Sequence, residues 1–298
     1  MYSMGMKFII YGAGALGSFI GAMLSKKYEV LLIGRKNHIN EIEKNGLIIE
    51  GLTNGRFYPS VKWDGSKYDL IILTTKSYDT EKAVKEAISK YGKIPFLSLQ
   101  NGLGNEEKIA EIIGEENVIG GITNHGITFV KPGKIRHAGK GITIIGELEG
   151  KTSERIKKLA HIFNEVGVET KTSKNIKKEI WKKAIINSAI NSLTTLFKCK
   201  NGELIKYKKL IKKICDEGTS IAEKEGFLIE DAFERTMEVI EKTRNNYSSM
   251  LQDIMKGKKT EINEINGAIA AIGKKHGIKA CFNIVLTELI KEMENVGT

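Results

Sequence analysis

The chain has little that would crosslink it, anchor it or hold a metal. Its three cysteines, Cys199, Cys215 and Cys281, are far apart and match no metal spacing. They read as reduced thiols of a cytoplasmic protein, not as a disulfide framework. Five scattered histidines form no H-E-x-x-H or similar arrangement, so no metal site is expected. No run reaches the roughly 18 apolar residues of a transmembrane span. Met1-Tyr2-Ser3-Met4-Gly5-Met6 lacks a basic n-region and an apolar core, which excludes a signal peptide. Met4 and Met6 are alternative starts. With three prolines in 298 residues there is no Pro/Ser-rich linker, and no internal repeat stands out. Negative charge is in deficit, at a formal +11, and all but six of the 47 basic residues are lysine. Stretches such as Lys206-Tyr207-Lys208-Lys209-Leu210-Ile211-Lys212-Lys213 alternate with apolar residues at helical spacing. They read as solvated helix faces, which argues against a nucleic-acid patch.

What is present begins at the first strand. Lys7-Phe8-Ile9-Ile10-Tyr11 runs into Gly12-Ala13-Gly14-Ala15-Leu16-Gly17, a helical pattern over 18–25 follows, and Glu29-Val30-Leu31-Leu32-Ile33 is a second strand. G-x-G-x-x-G inside a βαβ unit reads as a dinucleotide site, the alternative being a purely structural glycine turn. Gly12 allows the tight turn, Gly14 lets a pyrophosphate approach, and Gly17 lets helix and strand pack closely. The helix N-terminus supplies free N–H groups to the phosphates. One further absence selects the dinucleotide. The second strand ends Ile33-Gly34-Arg35-Lys36, without the carboxylate that would bind a ribose 2′-OH. Arg35 offers a fork of donors to a 2′-phosphate and Lys36 a second charge, so NADP(H) is favoured over NAD(H). The alternative is a solvated basic turn.

The first half alternates strand and helix. Helices are expected over 39–45, 80–91 and 153–165. Further strands are expected at 47–50, 56–61, 69–75, 95–99, 118–122, 127–130, 142–145 and 166–170. This predicts an α/β N-terminal domain, a Rossmann-type doubly wound sheet, over 1–172. From 173 to 298 Ile, Leu and Ala recur at helical spacing, broken at Asn201-Gly202, Glu225-Gly226 and His276-Gly277, and an all-α C-terminal domain is expected.

Ligands of open α/β sheets bind beyond the carboxyl ends of the strands. Thr74-Thr75-Lys76-Ser77 and Gln100-Asn101-Gly102 lie there. Asn101-Gly102 also fits a simple turn. In the helical half, Lys183, Asn187 and Asn191 fall four apart and share one stripe of a helix otherwise rich in Ile and Ala. Asn competes with the helix for backbone hydrogen bonds, so the stripe suggests a polar wall facing a cleft. The alternative is a solvated face. Further on, a polar cluster around Ser248-Ser249 precedes a short helix, and Thr260 is placed to N-cap the helix that Glu261 begins.

At these segments the chain resembles the ketopantoate reductase (2-dehydropantoate 2-reductase) family over nearly its whole length. The residues carrying the likeness are the glycine motif, Lys76, Gln100-Asn101-Gly102, Lys183 with Asn187 and Asn191, and Cys199-Lys200-Asn201-Gly202-Glu203-Leu204. They continue in Ser248-Ser249-Met250-Leu251-Gln252-Asp253, Thr260-Glu261-Ile262 and Ile265-Asn266-Gly267. The resemblance implies NADPH-dependent reduction of 2-dehydropantoate to (R)-pantoate, on the route to pantothenate and coenzyme A. It implies catalytic roles for Lys183, as proton donor, and Glu261. Cofactor contacts would come from Gly12, Ala13, Gly14, Ala15, Leu16, Gly17, Arg35, Lys76, Asn101, Ile127 and Glu261. Asn101, Lys183, Asn187, Asn191, Asn201, Asn246 and Ser249 would hold the substrate. Ser192 and Ala280-Cys281 stand where the family often has Pro. The chemistry is coherent in itself, because a protonated Lys stabilises the charge developing on a reduced carbonyl and can supply its proton. A nearby carboxylate, Glu261, would keep that Lys charged. Other readings are a related NAD(P)-dependent 2-oxo acid reductase or hydroxy acid dehydrogenase, or a non-catalytic nucleotide sensor. Oligomeric state is left open, a homodimer included.

Overall fold

The structure, a computed structural model, describes residues 5–296, and Met1 and Met4 lie outside the described residues. The chain runs β1 (Lys7–Tyr11), α1 (Ala15–Leu24), β2 (Glu29–Ile33), α2 (Lys36–Asn45), β3 (Leu47–Gly51), β4 (Gly55–Phe57) and β5 (Leu70–Leu73). It continues with α3 (Thr80–Tyr91), β6 (Phe96–Ser98), α4 (Asn105–Ile113), β7 (Val118–Thr123), β8 (Gly126–Lys131) and β9 (Lys134–Gly139). Then come β10 (Thr143–Glu147), α5 (Glu154–Glu165) and β11 (Thr170–Thr172). The helical part comprises α6 (Ile176–Phe197), α7 (Lys208–Lys224), α8 (Ala232–Lys242), α9 (Ser249–Met255), α10 (Ala268–Lys275) and α11 (Cys281–Val296). These elements form two compact units. Unit one contains the described residues up to Gln100 with Asn105–Lys177, and unit two contains Asn101–Gly104 with the described residues from Lys178 onward.

Unit one is an α/β domain whose main sheet has the order β11-β10-β7-β6-β5-β1-β2. β2, β1, β5, β6 and β7 are mutually parallel, while β10 runs antiparallel to β7. β1 and β5 are almost continuously apolar because both faces of a parallel sheet are covered. The strands expected at 47–50, 56–61 and 127–130 do not join this sheet. They form a second, four-stranded one, β4-β3-β9-β8, which extends the doubly wound plan. Its β9 reads Lys-Ile-Arg-His-Ala-Gly, and its buried face is Ile135 and a histidine, His137, so the apolar alternation that marks a strand is broken and the sequence does not announce it. The strand expected over 56–61 ends at Phe57, and Ser60 makes only an isolated bridge to Leu31. The strand expected over 166–170 starts at Thr170, because Val166 still caps α5.

The second sheet explains α1. Every residue from Gly17 to Leu24 is buried. A helix that is apolar all round needs cover all round, and α1 contacts β1 and β2 as well as β8, β9 and β3. α5 is the ordinary case. Ser153 N-caps it, accepting from the Ile156 N–H at 3.3 Å, a cap worth about 1 kcal/mol. Ile156, Leu159, Ile162 and Phe163 form its buried face. Buried histidines complete this unit. His38 accepts from the Gly133 N–H through Nδ1 at 2.9 Å, so its Nε2–H faces Ser18 Oγ at 2.9 Å. Burial lowers His38 and His125 each to about 4, which keeps both neutral.

Unit two is all-α. From Ser188 to Thr195 every residue of α6 is buried. Ser192 donates to the Ser188 carbonyl, and the helix continues unbroken to Phe197. The three breaks fall where glycine permits them. Asn201-Gly202 opens a 3-10 segment, and Gly226 (φ +86°) and Gly277 (φ +71°) end α7 and α10. A small core of Met250, Ile262, Ile265 and Ile290 joins α9, α11 and the segment before α10.

Candidate active site

In unit one the site residues are set by backbone. Gly12 has φ +116°, and a Cβ there would lie 2.5 Å from the Thr75 nitrogen. At Gly17 a Cβ would lie 2.3 Å from the Gly12 carbonyl oxygen and 2.4 Å from Thr74 Oγ1, so α1 starts pressed onto the ends of β1 and β5. Gly14 is different, with no atom closer than 3.9 Å to such a Cβ. It is exposed and precedes α1, whose N-terminus no side chain caps. The first N–H groups of a helix lack intrahelical partners, and this end of α1 lies beside the exposed Gly14 and the half-buried Ala15 and Leu16. The turn is fixed to β2, since the N–H groups of Gly12 and Ala13 both donate to the Ile33 carbonyl, at 3.0 and 2.7 Å. Gly34 packs against Ala13. This brings Arg35, exposed at the start of α2, beside the glycine turn, and among the described residues it makes no ion pair. The donor set fits the phosphates of a dinucleotide.

Lys76, half-buried, follows Thr75 at the end of β5. Gln100 supports that turn. Its Nε2 donates to the Thr75 carbonyl at 3.0 Å and to Thr80 Oγ1 at 2.9 Å. Ile127 lies in β8 and packs on the main core of unit one. The sequence reading gave Gln100 no role, and only its place before Asn101 signals one.

In unit two the site residues are side chains. Lys183 and Asn187 are half-buried, and Asn191 is 6% exposed, so the stripe is not a solvated face. Among the described residues the Asn187 and Asn191 amides have no hydrogen-bond partner. The adjacent Lys182 is held by Asp231 at 2.7 Å. Glu261 is 5% exposed and accepts from Asn101 Nδ2 at 3.2 Å, so two residues 160 apart are brought together. Thr260 Oγ1 accepts from the Ile262 N–H at 3.2 Å, but the turn that follows, Asn263–Gly267, is π-helical. The Asn201 N–H donates to the Asn246 carbonyl at 3.0 Å, and its Nδ2 to Thr243 Oγ1 at 2.8 Å. Asn201 Oδ1 is buried without a partner. Asn246 and Ser249 are exposed. Ser248 does the capping of α9 and accepts from Thr194 Oγ1 at 2.7 Å, which ties α9 to α6. A half-buried cation, a buried carboxylate and a row of amides can bind a small polar anion and donate a proton to it.

The model of ketopantoate reductase PanE/ApbA matches residues 8–150, and the model of its C-terminal part matches 175–294. The chain belongs to the ketopantoate reductase family. A 2-dehydropantoate 2-reductase of Pyrococcus horikoshii is 42% identical over 98% of this chain and 99% of the relative. That of Archaeoglobus fulgidus is 34% identical over 96% and 97%. A PanE/ApbA family ketopantoate reductase structure from Ralstonia eutropha aligns with a TM-score of 0.90 at 30% identity, over 98% of this chain and 99% of that one. A D-mandelate dehydrogenase solved with NADH and anilino(oxo)acetate aligns with a TM-score of 0.92 at 31% identity, over the same shares.

Proposed function

We propose that this family member reduces 2-dehydropantoate to (R)-pantoate with NADPH, a cytoplasmic step towards pantothenate and coenzyme A. The observation that carries the reading is the 42% identity to a 2-dehydropantoate 2-reductase, sustained across both units. The nicotinamide, when bound, supplies a hydride to the carbonyl carbon. The chain's residues do the rest. Lys183 stabilises the negative charge that develops on the carbonyl oxygen and donates the proton that completes the hydroxyl. Glu261 keeps Lys183 charged and, with Asn101, spans substrate and cofactor ribose. Asn187, Asn191, Asn201, Asn246 and Ser249 hold the carboxylate and hydroxyl of the substrate. The turn Gly12, Ala13, Gly14, Ala15, Leu16 and Gly17 receives the pyrophosphate, Lys76 and the backbone at Ile127 add contacts, and Arg35 pairs with the 2′-phosphate.

The dehydrogenase neighbour with NADH favours a second reading, a 2-hydroxy acid dehydrogenase that uses NADH. The absent carboxylate at the end of β2 speaks against it. A panel of 2-dehydropantoate and benzoylformate, each with NADPH and NADH, separates the two by loss of absorbance at the nicotinamide band. The reading requires 2-dehydropantoate with NADPH to give the highest kcat/KM. A preference for benzoylformate with NADH installs the second reading in its place.

A further inference from the structure

We propose that Asn266 is a positioning residue that holds the turn carrying Glu261 in register with α6 and with the Asn101–Gly104 loop. The inference rests on the roles assigned above to Lys183 and Glu261.

Residues Asn263–Gly267 form a π turn, closed by the Gly267 N–H donating to the Ile262 carbonyl at 3.0 Å. Such turns break the regular ladder and need support from outside the helix. Ile262 and Ile265, at 0% and 1% exposure, are gripped by the core with Met250 and Ile290. Asn266 is 0% exposed. Its Nδ2 donates to the Ser188 carbonyl of α6 at 3.0 Å and to Asn283 Oδ1 of α11 at 3.0 Å. Both partners are oriented acceptors. Ser188 already sits in a helix ladder, and Asn283 uses its own Nδ2 to donate to Glu217 at 2.7 Å. The amide of Asn266 therefore has one workable orientation, and it spends both of its donor hydrogens on these two contacts. Ser188 follows Asn187, so one bond joins the turn to the stretch of α6 that bears Lys183, Asn187 and Asn191.

The other side of the turn holds the loop. The Glu264 carbonyl accepts from the Leu103 N–H at 2.9 Å. Gly102, at φ +87°, approaches so closely that a Cβ would lie 2.3 Å from that carbonyl oxygen. Its neighbour Asn101 donates to Glu261. One turn thus fixes the carboxylate, the amide that meets it and the helix that carries the proton donor. A substitution at Asn266 touches no substrate or cofactor and acts on turnover by letting Glu261 and Asn101 drift.

The test is a double-mutant cycle of Asn266→Ala with Glu261→Gln, read by kcat, KM and NADPH affinity. Asn266→Ala is expected to lower kcat about tenfold and to leave the NADPH Kd within about twofold. In the Glu261→Gln background it should cost less than about threefold, because residues acting through one another are not additive. It should also move the alkaline limb of the kcat–pH profile to lower pH, as Glu261→Gln does, since a Lys that loses its carboxylate deprotonates earlier. Equal losses in both backgrounds, or an unmoved limb, overturn the proposal. If Asn266→Ala does not fold, Gly102→Ala loads the same turn from the loop side, and it must show the same non-additivity or the proposal fails. A Glu261→Gln enzyme with undiminished kcat instead removes the assigned role of Glu261, and this proposal with it.

Discussion

The glycine turn of unit one and the π turn of unit two make their sites from different parts of the polypeptide. In the first, the reactive surface is main chain. Gly12 and Gly17 are there because a Cβ would strike backbone at 2.5 and 2.3 Å, and the open face at Gly14 presents amide groups. In the second, the main chain is scaffold and the chemistry is proposed for side chains, with Glu261 and Asn101 meeting from positions 160 residues apart. The difference teaches what each can tolerate. A backbone site is broken by added volume and is indifferent to the chemistry of most neighbouring side chains. A side-chain site is broken by the loss of a single functional group even when every fold contact survives.

The strongest way to sharpen the contrast is at Lys183. Lys183→Ala should lower kcat by about a hundredfold or more, the scale of a lost general acid, while NADPH affinity and melting temperature stay near wild type. Retention of most turnover in stopped-flow assays would remove Lys183 from the mechanism. The converse is Gly17→Ala, which leaves every functional side chain intact. The extra methyl must displace the Gly12 carbonyl, at a cost of about 1–3 kcal/mol, so both the thermal midpoint and NADPH binding should fall. An unchanged calorimetric titration with NADPH would contradict the close packing. Arg35 is a place where unit one is proposed to rely on a side chain. Arg35→Ala should raise the NADPH Kd about tenfold, near 1.4 kcal/mol, and leave that of NADH unchanged. Equal fluorescence-quench titrations for the two cofactors in wild type would cancel the 2′-phosphate assignment.

The smallest expected effect separates the units by acid. His38 and His125 have folded values of about 4 against an ordinary 6.5, because burial disfavours the cation. Above pH 6.5 neither state binds the protons, so this part of the stability is complete. As pH falls from 6.5 towards 4 the unfolded chain takes up protons that the folded chain refuses, and stability is lost. Melting of the ligand-free protein should move down across that window, with the loss falling first on unit one. A flat profile between pH 7 and 4.5 would show that these rings are not held neutral.

The same contrast decides what could be read from sequence. The glycine turn was legible because main-chain constraints write themselves as glycine at fixed spacing, and the βαβ context was local. The stripe of Lys183, Asn187 and Asn191 was legible because helical period is local too, though the choice between cleft wall and solvated face waited for the burial of Asn191. What stayed hidden needed long-range pairing. β9 joins β3 across about 85 positions, as in the Glu50–Arg136 pair, and no local pattern marks that. Nor does any local pattern place Ser248 against Thr194, or turn a helix start at Thr260 into a π turn. Ile265-Asn266-Gly267 was noticed as a motif, yet its work depends on Ser188 and Asn283, which only the fold supplies.

The membership of Asn101–Gly104 in unit two has a consequence for how the protein is made. The loop leaves the ribosome with the α/β unit, but the residues that hold it come 160 positions later. At about 5–20 residues per second the loop waits roughly 8–30 s for its partner. Throughout that interval the glycine turn is complete, while the bonds of Asn101 with Glu261 and of Leu103 with Glu264 are still unmade. Translation cut short before Thr260 therefore leaves the loop without either of these contacts.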